Sequence, residues 1–269
     1  RGTVLPREHV IGKFPPRGGI TTVETCAIAL AMAGGRPEYL PVLVAAVDAF
    51  LDPESNAEQL QAASGSAFPV VIVNGPIAKQ IRLNSGFGCL GPDPQRPAGA
   101  SIGRALRLIQ QNGGGALPGI GAMANYGGMR YTNMVFAEDE ENLPEGWLPH
   151  ATQRHGFAQG ANSISLVFAN GATNIRRRGA KKETPEEDTL QGMHRIADFM
   201  RTPNLASLQG YEQGTPGVLM IPGVVAQTMA GLGWTKKSMR EFFWEHSKIP
   251  LEHLTRAGGP AWIEIDANP

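Results

Sequence analysis

Apolar residues recur at helical spacing near the start of the chain and predict two helices. The stretch 21–33 follows a helical period, with Thr21 or Thr22 as the N-cap and Gly34 just beyond its end. A second helix is expected from about Pro37 to Pro53. Because the connection between them is short, the pattern predicts an N-terminal helical hairpin.

Short apolar runs bounded by turn residues predict strands farther along, and they alternate with further helices. The expected strands are Phe68–Val73, Tyr131–Ala137, Ser163–Ala169 and Val218–Ile221. The expected helices are one capped by Ser101, then about Pro185–Met200, Val224–Leu232 and Lys236–Ser247, the last capped by Thr235. The alternation favours an α/β or mixed α+β fold.

Charge patterning divides the chain into three predicted stretches. Residues 1–175 hold the hairpin and an α/β region around a glycine-rich loop, and residues 189–269 form the C-terminal α/β part of the same domain. Between them, residues 176–188 crowd basic and acidic side chains around Pro185, which predicts an exposed charged loop. The chain opens on Arg1 instead of Met, so we expect native sequence upstream of it.

Composition narrows the possible functions. The 24 basic and 24 acidic residues balance, and no basic block is interleaved with aromatic residues, which argues against nucleic acid as the main partner. Two cysteines are too few to staple a secreted chain of 269 residues. No run of about 18 apolar residues is present, so no membrane partner is expected and the predicted location is the cytoplasm.

The glycine-rich passage is one candidate for chemistry. The loop Asn84–Gly91 contains three glycines and Ser85, and it leads towards the helix that carries Arg104. Glycines let a backbone approach a ligand closely, and a helix N-terminus attracts anions. The loop either binds such a ligand or simply turns the chain. Cys89 lies in it without a neighbouring base, so a structural thiol is favoured over a nucleophile.

The acidic segment after the predicted strand 131–137 is the second candidate. Glu138 and Glu140 are followed by His150 and His155, and carboxylates with imidazoles suit acid–base work or a divalent metal. The spacing of the two histidines does not match a helical metal-binding pair. A solvated acidic loop with surface histidines is the simpler interpretation of the histidines. His194 and His246, on predicted helices, are interpreted as structural histidines.

Several motifs resemble one family of proteins. They are GGRPEYLPV at 34–42, IVNGPI at 72–77 with NSGF at 84–87, and SIGRALRLI at 101–109. Together they resemble a sparsely characterised bacterial family found with, or fused to, a UGSC-type thiol or selenol domain and linked loosely with thiol–disulfide chemistry. The resemblance covers most of the chain. It implies a cysteine where this chain has Gly35, and the UGSC motif is missing from the 269 residues.

The resemblance also implies which polar residues matter. It places weight on Glu24, Arg36, Glu38, Asn74, Asn84, Ser85, Arg104, Glu138, Glu140 and Glu141. These residues would suit a shared ligand pocket. Alternatively, Glu24, Arg36 and Glu38 would form a buried ion network that fixes the helical hairpin.

Taken together, the patterns predict an enzyme, or an enzyme subunit, that acts on a small polar or anionic organic molecule by lyase or hydrolase chemistry. Its predicted catalytic residues are Glu138, Glu140 and His155, and its predicted substrate-binding residues are Arg36, Asn74, Asn84, Ser85 and Arg104. A divalent metal is a possible cofactor. The alternative is a non-catalytic subunit of a thiol or selenol redox complex whose reactive group lies on a partner chain. A homo-oligomer or a hetero-complex is expected.

Overall fold

The computed structural model describes residues 2–124, 132–175, 184–201 and 217–248, and within them the fold is mixed α/β, as predicted. The strands are β1 Val10–Phe14, β2 Gly19–Thr22, β3 Phe68–Asn74, β4 Met134–Ala137 and β5 Ser163–Ala169. The helices are α1 Val23–Met32, α2 Leu40–Leu51, α3 Ala57–Ala62, α4 Ile77–Gln80, α5 Ala98–Leu108, α6 His150–His155, α7 Pro185–Met200, α8 Gly223–Gly231 and α9 Lys236–His246.

The chain forms two compact units. The first comprises Arg1–Asn142 and Leu148–Gly171, and the second comprises Leu143–Trp147 and Ala172–Pro269. The single domain expected from the sequence stays a prediction. Each unit is described by itself below.

The first unit is built on a three-stranded sheet in the order β4-β3-β5. The central strand β3 is buried along its whole length because its sequence FPVVIVN is apolar on both faces. β3 pairs in parallel with β4, with Val73 opposite Ala137, and antiparallel with β5. The strands predicted at Phe68–Val73 and Ser163–Ala169 are confirmed. The strand expected at Tyr131–Ala137 begins at Met134, and Tyr131 lies outside the described residues.

Three helices cover this sheet and confirm the predicted hairpin. α1, α2 and α5 contact one another, and α5 also contacts β4 while α2 contacts β5. α1 begins at the predicted cap, where Thr22 accepts from the Thr25 N–H and the Thr25 hydroxyl accepts from the Thr22 N–H. Pro41 lies in the first turn of α2, where its missing N–H would have had no partner.

A β-hairpin that the sequence patterns did not predict precedes α1. β1 and β2 pair antiparallel, with Phe14 opposite Gly19, on either side of a turn that contains Pro15 and Pro16. Phe14 is fully buried and its ring stacks on Phe50 of α2 at 4.6 Å. One inward aromatic ring therefore ties the hairpin to the helices, and Pro15 and Pro16 lie in its turn, where no strand pairing is needed.

Three sequence predictions need correction. Ser101 is not an N-cap, because α5 begins three residues earlier at Ala98 and buries Ser101 within it. Val218–Ile221 is not a strand: it pairs with no described strand, and Leu219 and Ile221 pack instead against the helices of the second unit. The charged loop 176–188 ends at Thr184, which caps α7; residues 176–183 lie outside the described part of the chain.

The described part of the second unit contains the helices α7, α8 and α9, close to their predicted bounds. Their shared core contains Met193, Ala197, Met229, Met239 and Phe243. The predicted cap of α9 is confirmed, since Thr235 and Ser238 exchange the reciprocal hydrogen bonds of a capping box. None of the helices described in either unit has the length and apolar character needed to cross a membrane.

Candidate functional site

The carboxyl ends of β3 and β4 bring three of the predicted site residues together. Parallel neighbours end at the same edge of a sheet, which is where open α/β folds bind ligands. Asn74 is the last residue of β3, and Glu138 directly follows β4, where its N–H donates to the Val73 carbonyl at 3.2 Å. Glu140 comes two residues later. Asn74 is 2% exposed, and both glutamates are half-buried.

One side-chain amide holds both carboxylates. Asn74 Nδ2 donates to Glu138 Oε2 and to Glu140 Oε1, each at 2.7 Å, so these two oxygens lie no farther apart than twice that distance. Each carboxylate also accepts a backbone donor: the Gly75 N–H at 2.7 Å for Glu140 and the His150 N–H at 2.6 Å for Glu138. These hydrogen bonds hold two acidic groups side by side, which suits proton exchange or cation binding.

The other half of the same amide is unsatisfied. Asn74 Oδ1 is buried and accepts no hydrogen bond within the described residues. An acceptor left in this state lowers stability by about 1–3 kcal/mol. The amide is therefore positioned between the two carboxylates at a cost in stability. Such a cost is more typical of a functional site than of a structural turn.

A glycine and a second asparagine set the turn after β3. Gly75 has a φ of +91°, and a side chain there would meet the Ala161 carbonyl at 2.5 Å, so only glycine fits. Asn162 Oδ1 accepts from the Ile77 N–H at 2.8 Å and so fixes the start of α4. On the outer side of α4, Lys79 Nζ pairs with Glu141 Oε1 at 2.7 Å, and both side chains are exposed.

His155 does not join the carboxylate pair. Glu138 binds the first N–H of α6, at His150, whereas His155 is the last residue of that helix, roughly 8 Å along its axis. The two imidazole rings lie 5.9 Å apart, and His155 is exposed. Across the described ranges, no three His, Cys, Asp or Glu side chains lie close enough to hold one ion. A metal at the pair would take two carboxylates from these residues and complete its shell with water or substrate.

Asn84 organises the outer edge of β4. Its carbonyl accepts from the Ala137 N–H at 2.9 Å, and its Nδ2 donates to the Val135 carbonyl at 3.0 Å and to the Cys89 carbonyl. Asn84 thus occupies the position at which a further strand would pair with β4. Its Oδ1, like that of Asn74, is buried without a described partner. All of its described bonds go to backbone, which favours a structural contribution; its predicted role in substrate binding stays a prediction.

The glycine-rich loop is held by an arginine that the sequence analysis overlooked. Arg96 donates to the Ser85 carbonyl at 3.0 Å and to the Phe87 carbonyl at 3.1 Å, and it pairs with Asp93 at 3.1 Å. Ser85 is half-buried and contributes its backbone to this arrangement. Gly86, at φ +59°, lies beside the Asp139 carboxylate, so the loop passes close to the acidic segment. The position of Arg96 just before α5 is the feature of the sequence that could have indicated this role.

Arg104 lies at the opposite end of β4 from the carboxylate pair. The preceding residue, Gly103, accepts through its carbonyl from the Asn133 N–H at 3.3 Å, just before β4 begins. The four residues of β4 separate Asn133 from Glu138, so the two lie five residue steps apart, roughly 16 Å. Burial lowers the pKa of the nearby Arg107, and the positive charge of Arg104 lowers it further. The structure therefore does not bring Arg104 next to the carboxylates.

Arg36 is exposed, and the residues that follow it in the chain line a surface hollow of about 490 Å³. Pro37 and Glu38 line this hollow together with Ile77 and Gln80 of α4. α4 thus presents one face to the hollow, and its Lys79 contacts the acidic segment. The buried ion network offered as an alternative is not present: Glu24 is exposed and lies 3.8 Å from Arg7.

Neither thiol is activated. Burial raises the pKa of Cys26, within α1, to about 12. Burial also raises the pKa of Cys89, against smaller opposing effects of backbone N–H groups and of Arg96. Both cysteines are free. Thiol chemistry by this chain alone is therefore disfavoured.

A relay of buried amides, not foreseen from the sequence, ties the β1–β2 turn to the start of β4. Asn133 Nδ2 donates to Gln110 Oε1 at 2.8 Å, Gln110 Nε2 donates to Gln61 Oε1 at 3.0 Å, and Gln61 Nε2 donates to the Pro15 carbonyl at 2.7 Å. Each of the three side chains is at most 6% exposed. The residues are scattered along the chain, so no local pattern identified them.

Comparison with protein-family models, curated proteins and solved structures found no match for this chain. The resemblance to the UGSC-associated family therefore stays a prediction, and function has to be argued from the geometry.

Proposed function

We propose that this chain is an enzyme, or the substrate-binding subunit of one, that acts on a small polar organic molecule at the carboxyl ends of β3 and β4. The observation that carries the proposal is the amide of Asn74, which holds the Glu138 and Glu140 carboxylates together while its own oxygen stays unsatisfied. Two like charges held side by side repel each other, so their close placement favours a functional role.

The proposed chemistry is lyase or hydrolase cleavage with the carboxylate pair as acid–base or metal-ligand groups. Should an ion bind there, the two carboxylates suit Mg²⁺ or Mn²⁺, which commonly take one or two protein carboxylates and keep several waters. We place the substrate's remaining groups in the hollow beside α4, which Glu38 lines and which adjoins the chain segment that carries the exposed Arg36. The proposal further places the protein in the cytoplasm, as a homo-oligomer or hetero-complex.

A comparison of two adjacent glutamates tests this proposal. Wild type, Glu140→Gln and Glu141→Gln are incubated with a small-molecule extract, with and without Mn²⁺, and consumed compounds are followed by mass spectrometry. We expect a compound that wild type and Glu141→Gln consume and that Glu140→Gln leaves untouched. Glu141 is the matched control because it is exposed and, in the part of the chain that the structure describes, pairs with Lys79 at the surface. Equal consumption by all three proteins, or consumption by none, would overturn the proposal.

A second function is favoured by the state of the thiols. Because burial raises the pKa of both Cys26 and Cys89, a role in thiol or selenol redox chemistry would require a reactive group on a partner chain. A side chain at Gly35, where the resembled family implies a cysteine, would clash with the buried Leu30. Co-purification of a second, thiol-bearing chain in native mass spectrometry, with no turnover by this chain alone, would support this function over the first.

A further inference from the structure

Two histidines of the second unit lie side by side on neighbouring helices. His194 is on α7 and His246 is on α9, and their ring centres are 4.9 Å apart at an angle of 79°. Both side chains are exposed. The packing of Met193 and Phe243 in the core between the two helices fixes the positions from which the rings project.

The His246 ring is held in a defined orientation. Its Nδ1 lies 2.8 Å from the Phe242 carbonyl, and because a carbonyl oxygen only accepts, Nδ1 must donate. The neutral ring then carries its lone pair on Nε2. The Phe242 ring stacks on it at 4.0 Å and also contacts His194 at 5.0 Å. Metal-binding histidines usually donate their other ring N–H to a carboxylate, a backbone carbonyl or water, and this bond fixes the ring.

The spacing of the rings fits a shared ion. Imidazole nitrogens bind Zn²⁺ at about 2.0–2.1 Å, which places each ring centre about 3 Å from the ion and two such centres about 5 Å apart near the tetrahedral angle. The observed separation is 4.9 Å. We propose that His194 and His246 form a binding site for a divalent transition-metal ion that prefers imidazole, namely Cu²⁺, Ni²⁺ or Zn²⁺.

The remaining coordination positions are open. The nearby Glu245 carboxylate is paired with Lys248 at 2.6 Å, and no third His, Cys, Asp or Glu of the described segments completes the set. Water or an exogenous ligand fills the shell, so the ion is exchangeable and the affinity order follows Cu²⁺ above Ni²⁺ and Zn²⁺. The site belongs to a different unit from the carboxylate pair and does not depend on the proposed function.

A calorimetric titration of the purified full chain with Zn²⁺ tests the site. We expect one Zn²⁺ per chain, bound at least tenfold more weakly by His194→Gln and by His246→Gln. His155→Gln, an exposed histidine of the first unit, is the matched control and leaves the affinity unchanged. Glu140→Gln also leaves it unchanged, which separates this site from the carboxylate pair. Circular dichroism checks that the variants fold, as substitution of exposed rings should allow.

A spectroscopic measurement distinguishes ligation from an indirect effect. Cu²⁺ bound to the wild type is expected to show electron paramagnetic resonance couplings from two imidazole nitrogens, and each histidine variant should lose one of them. Equal Zn²⁺ affinity in wild type and His194→Gln, or a Cu²⁺ spectrum without imidazole coupling, would overturn the proposal.

Discussion

Replacing Asn74 by aspartate tests the carboxylate pair directly, because the new side chain has the same shape and the opposite hydrogen-bonding character. The substitution removes both donors of Nδ2 and puts a third carboxyl 2.7 Å from the Glu138 and Glu140 oxygens. A group this buried, beside two acids, keeps its proton in the folded state. The unfolded chain releases that proton above its ordinary pKa of about 3.9.

The sign of the pH dependence follows from this difference. The folded variant binds one more proton than its unfolded chain, so its stability is lost as pH rises. The deficit relative to wild type grows by about 1.4 kcal/mol per pH unit between pH 5 and 7. A protonated carboxyl restores one of the two lost donors, so a further deficit of roughly 1.5–3 kcal/mol remains even at low pH.

Urea unfolding of both proteins at several pH values measures this deficit. Circular dichroism follows both units, whereas tryptophan fluorescence does not report on the first unit, whose sequence contains no tryptophan. The matched control is Asn142→Asp, which makes the same change beside the Asp139 carboxylate at an exposed position and should alter stability by less than about 1 kcal/mol. Adding Glu140→Gln to Asn74→Asp supplies a new amide donor and should flatten the pH dependence. A small, pH-independent deficit would refute the geometry of the pair.

Three further predictions concern residues away from the pair. Cys26→Ala should reduce the loss of stability above pH 9, because the folded thiol, with its pKa raised to about 12, keeps a proton that the unfolded chain releases. Denaturation at pH 8 to 11 measures this loss, and an equal dependence of the unfolding free energy on pH in wild type and variant would contradict the burial argument. Arg96→Leu should speed hydrogen exchange in residues 85–93 with little change in global stability, and unchanged exchange would show that Arg96 does not hold the loop. Gln110→Leu leaves an amide donor of Asn133 and the Gln61 oxygen unpaired and should lower the free energy of unfolding by about 2–4 kcal/mol; a change under 1 kcal/mol would mean that water replaces the relay.

Local patterns predicted most of the helices and two strands well because the physical causes are local. The capping threonines Thr22 and Thr235 begin helices where their neighbours complete a capping box. The apolar run of β3 forms a central strand because it can be buried on both faces. Prediction failed where the cause was tertiary. Ser101 resembles an N-cap in the sequence, but α5 already begins at Ala98, and Gly99 in its first turn packs closely against Asn84 and Val135.

The candidate site was only partly predictable for the same reason. Asn74 lies 64 and 66 residues from the glutamates that it binds, and their contact requires β3 and β4 to be parallel neighbours. The sequence indicated each residue separately, but strand order was not accessible from it. The sequence also indicates His155 and Arg104, but the tertiary structure places both away from the carboxylate pair.

The distribution of donors around the acidic segment distinguishes a site from a solvated loop. Lys79 pairs with Glu141, the exposed carboxylate, at 2.7 Å. The half-buried Glu140, its immediate neighbour, instead accepts from an asparagine amide and a backbone N–H. A solvated surface loop would leave both side chains to water, and a structural ion pair would put the ammonium on the more buried acid, where the attraction is stronger. Within the described residues the chain does neither: Glu140 is oriented by donors that carry no charge, and its own charge is available to a cation or a proton.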